Sequence, residues 1–120
     1  MTKIDPSTLE TVVQIRLDGN VDEIAVLDGY VWALDFATGV LTRISIGSDR
    51  ETGQEALPAD PTAMTAGAGS IWLSHEDGTI TRVEPATMTG SEFAHVDGAA
   101  LAVAVDDARN SIWVYVGRAA

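Results

Sequence analysis

His75 and Glu76 are the residues in this chain whose types and adjacency could do chemistry. A histidine beside a carboxylate can act as general base and general acid if both side chains reach one substrate. Ser74 precedes His75, but neighbours along a strand point to opposite faces, so the two do not form a dyad. A second group is acidic. Asp18, Asp22, Glu23, Asp35, Asp60, Glu76, Asp77 and Asp97 fall in segments expected on one face, opposed only by Arg118. Ringed around a channel, such carboxylates could hold a divalent cation through oxygen ligands. The other face carries Asp5, Asp28, Asp49, Glu51, Glu84, Asp106 and Asp107 with Arg50 and Arg109, so the two faces differ only modestly. No EF-hand spacing, phosphate loop, dinucleotide fingerprint, His-Glu-x-x-His or nucleophile elbow is present. The expectation is a chain without a metal or cofactor, with a channel-bound cation as the alternative.

The elements that position these residues follow from an internal repeat. Trp32, Trp72 and Trp113 stand 40 and 41 residues apart, each after a β-branched residue. Thr2-Lys3-Ile4, Thr42-Arg43-Ile44 and Thr81-Arg82-Val83 recur at intervals of 40 and 39. A small apolar run precedes each Trp, at 24–27, 63–66 and 101–105. A period near forty with short β-rich runs, broken by Gly, Pro, Asp and Asn, is the layout of a four-stranded propeller blade. The first blade reads as strands near 23–27, 30–35, 40–46 and 54–57, with a turn over 47–53 and Pro58 and Pro61 marking the step onward. The second reads as 62–66, 70–75, 79–84 and 91–95. Asp-Gly pairs at 28–29, 77–78 and 97–98 supply hairpin turn chemistry. His95 falls near the end of a fourth strand, on the outer side of its blade.

Composition agrees with one compact β domain spanning 1–120. The chain has 120 residues, 46% hydrophobic, with a mean hydropathy of +0.12. No apolar run reaches the roughly 18 residues of a membrane helix. The first residues show no apolar signal region, so the default expectation is a cytoplasmic protein. With no cysteine, disulfides and zinc–thiolate sites are excluded. Seven basic against eighteen acidic residues give a net charge of −11, which opposes nucleic acid and anionic membranes as partners.

The blade phrase resembles the bacterial propellers related to streptogramin lyase and the YVTN-type repeats. The likeness is carried by Ile24-Ala25-Val26, Val31-Trp32 and Gly39-Val40-Leu41-Thr42-Arg43-Ile44, and again by Ser70-Ile71-Trp72-Leu73-Ser74 and Asp77 through Pro85. The resemblance implies a propeller, and enzymes of that kind use a His with acidic help and a metal. His75 is the matching type here, but Asp35 and Val116 occupy its place in the other units.

The ends read as half-blades. Residues 2–18 match strands 3 and 4 of a blade, 21–58 and 61–97 are complete blades, and 99–117 match strands 1 and 2. Three blades would close a ring only at very large angles, whereas propellers have 4–8. The expectation is therefore an all-β propeller of three four-stranded blade equivalents, two chains closing a six-bladed ring through shared blades. The repeated Trp32, Trp72 and Trp113 are expected to pack between blades, and the repeated bases Lys3, Arg43 and Arg82 to serve the same structure. Ile4, Val13, Ile15, Val103, Val105, Ile112 and Val114 are expected at the contact between chains. The function expected is a non-enzymatic, self-assembling scaffold or binding module whose ligand is unknown. The rivals are a lyase- or hydrolase-type enzyme using His75 and Glu76 with a metal, and a small-ligand or glycan binder.

Overall fold

A computed structural model describes residues 1–15, 17, 20–57 and 60–117. Asp18, Pro58 and Arg118 lie outside the described residues, as does the side chain of Val13. Among the described residues, twelve strands form four antiparallel sheets. β1 (Thr2–Ile4) and β2 (Thr11–Gln14) make a two-stranded sheet. β3 (Glu23–Leu27), β4 (Tyr30–Asp35), β5 (Val40–Ser45) and β6 (Arg50–Ala56) make a four-stranded one in sequence order. β7 (Pro61–Gly67), β8 (Ser70–His75), β9 (Thr79–Val83) and β10 (Gly90–His95) repeat it. β11 (Ala99–Asp106) and β12 (Ser111–Gly117) form the last pair, joined by a 3₁₀ turn at Asp107–Arg109. Among the described residues there is no α-helix. The first strands of successive units, β3, β7 and β11, pack side by side, as the inner strands of a propeller do.

Local chemistry explains the hairpins. Asp28 and Gly29 both take positive φ (57° and 81°), the primed turn whose twist matches two right-twisted strands. Ala68 and Gly69 do the same at 47° and 74°, so the second blade makes this turn with an alanine in the left-handed region. Two expectations are corrected. β6 starts at Arg50, so the turn before it is shorter than 47–53, and Thr52 and Gly53 are strand residues beside a bulge at Arg43/Ile44. Asp97-Gly98 closes no hairpin: it lies between β10 and β11 and carries the chain from one sheet to the next.

Strand alternation gives each complete blade two apolar faces. Trp32, Leu34, Leu41 and Leu57 of the first blade form one buried cluster with Met64, Ile71, Leu73, Val83 and Met88 of the second. Burying each such side chain contributes about 1.5–3 kcal/mol. Trp72, Ile80, Ala100 and Val103 nucleate a second cluster, to which Val105, Ile112 and Val114 add from the terminal pair. Polar bonds cross the same seams. Arg43 donates through Nη1 to the carbonyls of Pro85 (2.8 Å) and Ala86 (3.0 Å). Glu23 accepts from the Met64 amide, Thr62 donates to the Ala100 carbonyl, and Asp107 accepts from the Ala68 amide.

Gly78 and Gly29 separate steric need from conformational freedom. Gly78 has φ +93°, and a Cβ there would meet the Val96 carbonyl oxygen at 2.2 Å and the Gly98 carbonyl oxygen at 2.7 Å. Gly29 has φ +81° with nothing within 4 Å of a Cβ. In urea denaturation, Gly29→Ala should cost about 1 kcal/mol, while Gly78→Ala should cost roughly 3 kcal/mol or prevent folding, because backbone must move. Equal costs would show that the Gly78 turn yields.

Candidate functional site

His75 ends β8 with no exposed surface, and its Nε2 lies 2.7 Å from the Thr81 hydroxyl. Glu76 is the next residue and is exposed. The strand therefore buries one member of the pair and presents the other to solvent, so the two do not converge on a common substrate position. His75 is thus a buried, hydrogen-bonded strand end. His95 is exposed on β10, the fourth strand.

The acidic residues of the same end divide by role. Asp35 is buried at the end of β4 and organises the turn that follows: Oδ1 accepts from the amides of Ala37 (2.9 Å) and Thr38 (3.3 Å), and Oδ2 from Asn20 (3.4 Å). Burial pushes its carboxyl up, but the Thr38, Ala37 and Asn20 hydrogen bonds together outweigh this and hold it below the ordinary 3.8. Asp22 accepts from the Phe36 amide at 2.8 Å. Asp77 accepts from the Thr79 amide at 2.9 Å, and Thr79 holds its carboxyl below the ordinary value, with smaller pulls from His75 and His95. Glu23 is held against β7 by the Met64 amide. Asp60 and Asp97 are exposed, and the Asp60 carbonyl accepts from the Glu76 amide at 3.0 Å. Among the described residues no three His, Asp or Glu side chains gather at metal-binding range.

The three tryptophans separate just as sharply. Trp32 is 0% exposed and Trp72 4%, and their indole N–H groups donate to Leu27 (3.3 Å) and Gly67 (2.9 Å) carbonyls. Trp113, the third copy of the same position, is 67% exposed. It lies on the outward face of β12 with Tyr115, while Ile112 and Val114 turn inward onto the second blade. Val103 and Val105 likewise pack inward on that blade. At the other end Ile4 is exposed and Ile15 half-buried. Between β1–β2 and the first blade lies an apolar cleft of about 240 Å³ lined by Lys3, Ile15, Ile24, Val26, Val31 and Ile44 among others. Next to it, a cavity of about 250 Å³ is bounded by Leu17, Asn20, Ala33, Asp35, Thr42 and Gln54 among others. The outward-facing Tyr115 did not stand out in the sequence, and Ile24 and Val26 stood out as part of an apolar run but not as outward-facing. The usable signal was the two-residue step from each Trp along its strand.

The similarities of this chain to known proteins lie in fold. No protein-family model matches it, and no curated protein matches it in sequence. Its structure is similar to Kuenenia stuttgartiensis hydrazine synthase, with a TM-score of 0.85 at 9% identity over 98% of this chain and 36% of that one. It is similar to BamB from Moraxella catarrhalis, with a TM-score of 0.72 at 14% identity over 94% of this chain and 33% of that one. It is also similar to the WD40 repeats of RRP9, with a TM-score of 0.71 at 10% identity over 97% of this chain and 44% of that one. These likenesses show a β-propeller fold. The chain spans between a third and a half of the length of these three structures. No helix among the described residues is long and apolar enough to cross a membrane.

Asp35 supplies a pH test. A carboxylate whose folded pKa is depressed stabilises the fold above its unfolded value, and that contribution is lost as pH falls through the folded value. The melting temperature of the wild type should therefore fall as pH drops below about 4, from the ordinary 3.8 downward. Asp35→Asn should melt lower than wild type at pH 7, and the gap should narrow in acid. Parallel melting curves for the two proteins across that range would remove Asp35 from the account.

Proposed function

We propose that this chain is a propeller-type scaffold or binding module that completes its ring by pairing with a second copy. The observation that carries the proposal is Trp113. It repeats a position that is buried in both complete blades, yet stands 67% exposed on a two-stranded sheet. β1 and β12 each have a partner on one side only among the described residues, and such edges invite pairing. In the complete blades the second and third strands set Trp32 opposite Arg43 and Trp72 opposite Arg82. Lys3 is the repeat counterpart of those arginines. The same register sets Trp113 of one copy opposite Lys3 of the other and joins a two-stranded half from each chain into a four-stranded blade. Two such joins satisfy a twofold axis and give six blades, within the usual range.

The polar seams support the same pairing. The turn 84–88, Glu-Pro-Ala-Thr-Met, has a counterpart at 5–9, Asp-Pro-Ser-Thr-Leu, with Met88 and Leu9 both at positive φ (59° and 62°). Arg43 reaches across to the first of these turns. Arg82, its counterpart, stands where the second turn would arrive from another copy. Met88 is buried against the preceding blade, whereas Leu9 is 81% exposed. The blade phrase's resemblance to streptogramin-lyase-like propellers concerns this scaffold; with His75 buried, it lends the enzymatic rival no exposed histidine at that position.

Light scattering coupled to gel filtration should give a mass near twice 12.6 kDa. Trp113→Glu changes an exposed residue, so it should leave circular dichroism intact and shift the mass to that of one chain. A wild-type protein that runs as a single chain at every concentration would overturn the pairing.

A further inference from the structure

We infer that the cavity beside Asp35 is a socket for Tyr115 of a second copy, so that this site is complete only when two chains meet. The inference rests on the proposed pairing and names the side chains that decide its fit. The chain contains the template for the contact. Where its two complete blades meet, Trp32 and Leu34 of β4 are buried in one cluster with Ile71 and Leu73 of β8. Aligned on the tryptophans, Trp113 and Tyr115 repeat the presenting pair, and Val31 and Ala33 repeat the receiving pair. The presenting position has grown from Leu to Tyr while the receiving one has shrunk from Leu to Ala. A large-for-small exchange across one contact conserves its volume, which is the change a packed seam tolerates best.

The chemistry beyond Ala33 has changed in the same direction. In the second blade, His75 and Thr81 occupy the end of the receiving face and bond to each other at 2.7 Å. In the first blade their counterparts are Asp35 and Thr42, and with Ala33 they bound a cavity of about 250 Å³. Leucine would leave such a polar niche unanswered. A buried tyrosine instead needs a partner for its O–H. The Asp35 carboxylate accepts from three backbone amides and from the Thr38 hydroxyl, so the tyrosine O–H would take over the hydroxyl's share of the roughly four acceptor positions an ionised carboxylate offers. The phenol ring would fill the cavity beside Ala33, which is itself only 2% exposed within its own chain, and its hydroxyl would donate to Asp35. Tyr115 is 66% exposed within its own chain and lies two residues along the strand from Trp113, on the same face.

Sedimentation equilibrium over a concentration series on five proteins, the wild type, Ala33→Leu, Tyr115→Leu, their double variant and Tyr115→Phe, tests the socket. Ala33→Leu overfills the contact and should weaken pairing by roughly tenfold or more. Adding Tyr115→Leu rebuilds the Leu–Leu arrangement of the inner seam, so the double variant should recover to within about threefold of wild type. Tyr115→Phe keeps the ring but drops the hydroxyl, and should weaken pairing by roughly three- to tenfold. If Ala33→Leu does not fold, Tyr115→Phe carries the test, since it alters an exposed side chain. A wild type that pairs, with Ala33→Leu and Tyr115→Leu additive or Tyr115→Phe unchanged, would overturn the socket and leave the pairing standing. A wild type that never pairs would overturn both.

Discussion

A twisted four-stranded sheet with side chains alternating between its faces has two apolar sides and no helix to cover either. Every blade in this chain depends on the next one for burial, and the seam between β3–β6 and β7–β10 shows how that dependence is met. Trp32 fills the wedge between sheets, while Leu34, Leu41 and Leu57 meet Ile71, Leu73 and Met88 in one dry cluster. At the outer end of that seam Arg43 spans the gap to two backbone carbonyls, with its guanidinium 4.5 Å from the Tyr30 ring centroid. At the inner end Glu23 takes the Met64 amide. The seam thus has an apolar middle and a hydrogen-bonded rim. Stability in such an array is the sum of blade terms and neighbour terms, so a blade without a neighbour loses the larger part of its support.

The net charge of −11 is compatible with a cation as partner but does not call for one. In the structure many of those acids are occupied by the backbone. Asp22, Glu23, Asp35, Asp77 and Asp107 each accept from at least one main-chain amide, in a turn or across a seam. Short acidic side chains suit tight loops because they satisfy amides that no ladder reaches. Much of the acidity at these loops is therefore accounted for by turn chemistry before any ligand is invoked.

This division explains what the sequence made legible. The strand positions Glu23–Leu27, Tyr30–Asp35 and Ser70–His75 could be read to the residue, because β-branched and aromatic residues run between turn pairs whose φ requirements are strict. β6 was harder: its residues Arg50-Glu51-Thr52-Gly53 are polar and look like a loop, and only pairing with β5 makes them strand. His75 carried no local sign that it would be buried. Its position at a strand end reads the same whether the next blade covers it or not. Trp113 was legible as a repeat but not as an exposed one, since burial of a blade face is decided by a neighbouring sheet and not by its own residues.

The two ends of the chain pose the same problem in complementary form. β12 presents Trp113 and Tyr115, with Leu101 exposed on its partner strand. The first blade presents Ile24 and Val26, 58% and 63% exposed, beside an apolar cleft. Two copies at −11 each repel, but charges separated by more than about 8 Å are largely screened at physiological salt. Apolar burial at about 25 cal/mol per Å² is not screened, and a cross-strand ladder satisfies edge amides that water otherwise holds. The presenting face is aromatic where the inner seam is Trp and Leu, and the receiving face is smaller where the inner seam is Ile and Leu. Such a reciprocal difference in size is what the proposed pairing calls for, at a receiving position, Ala33, that is only 2% exposed within its own chain.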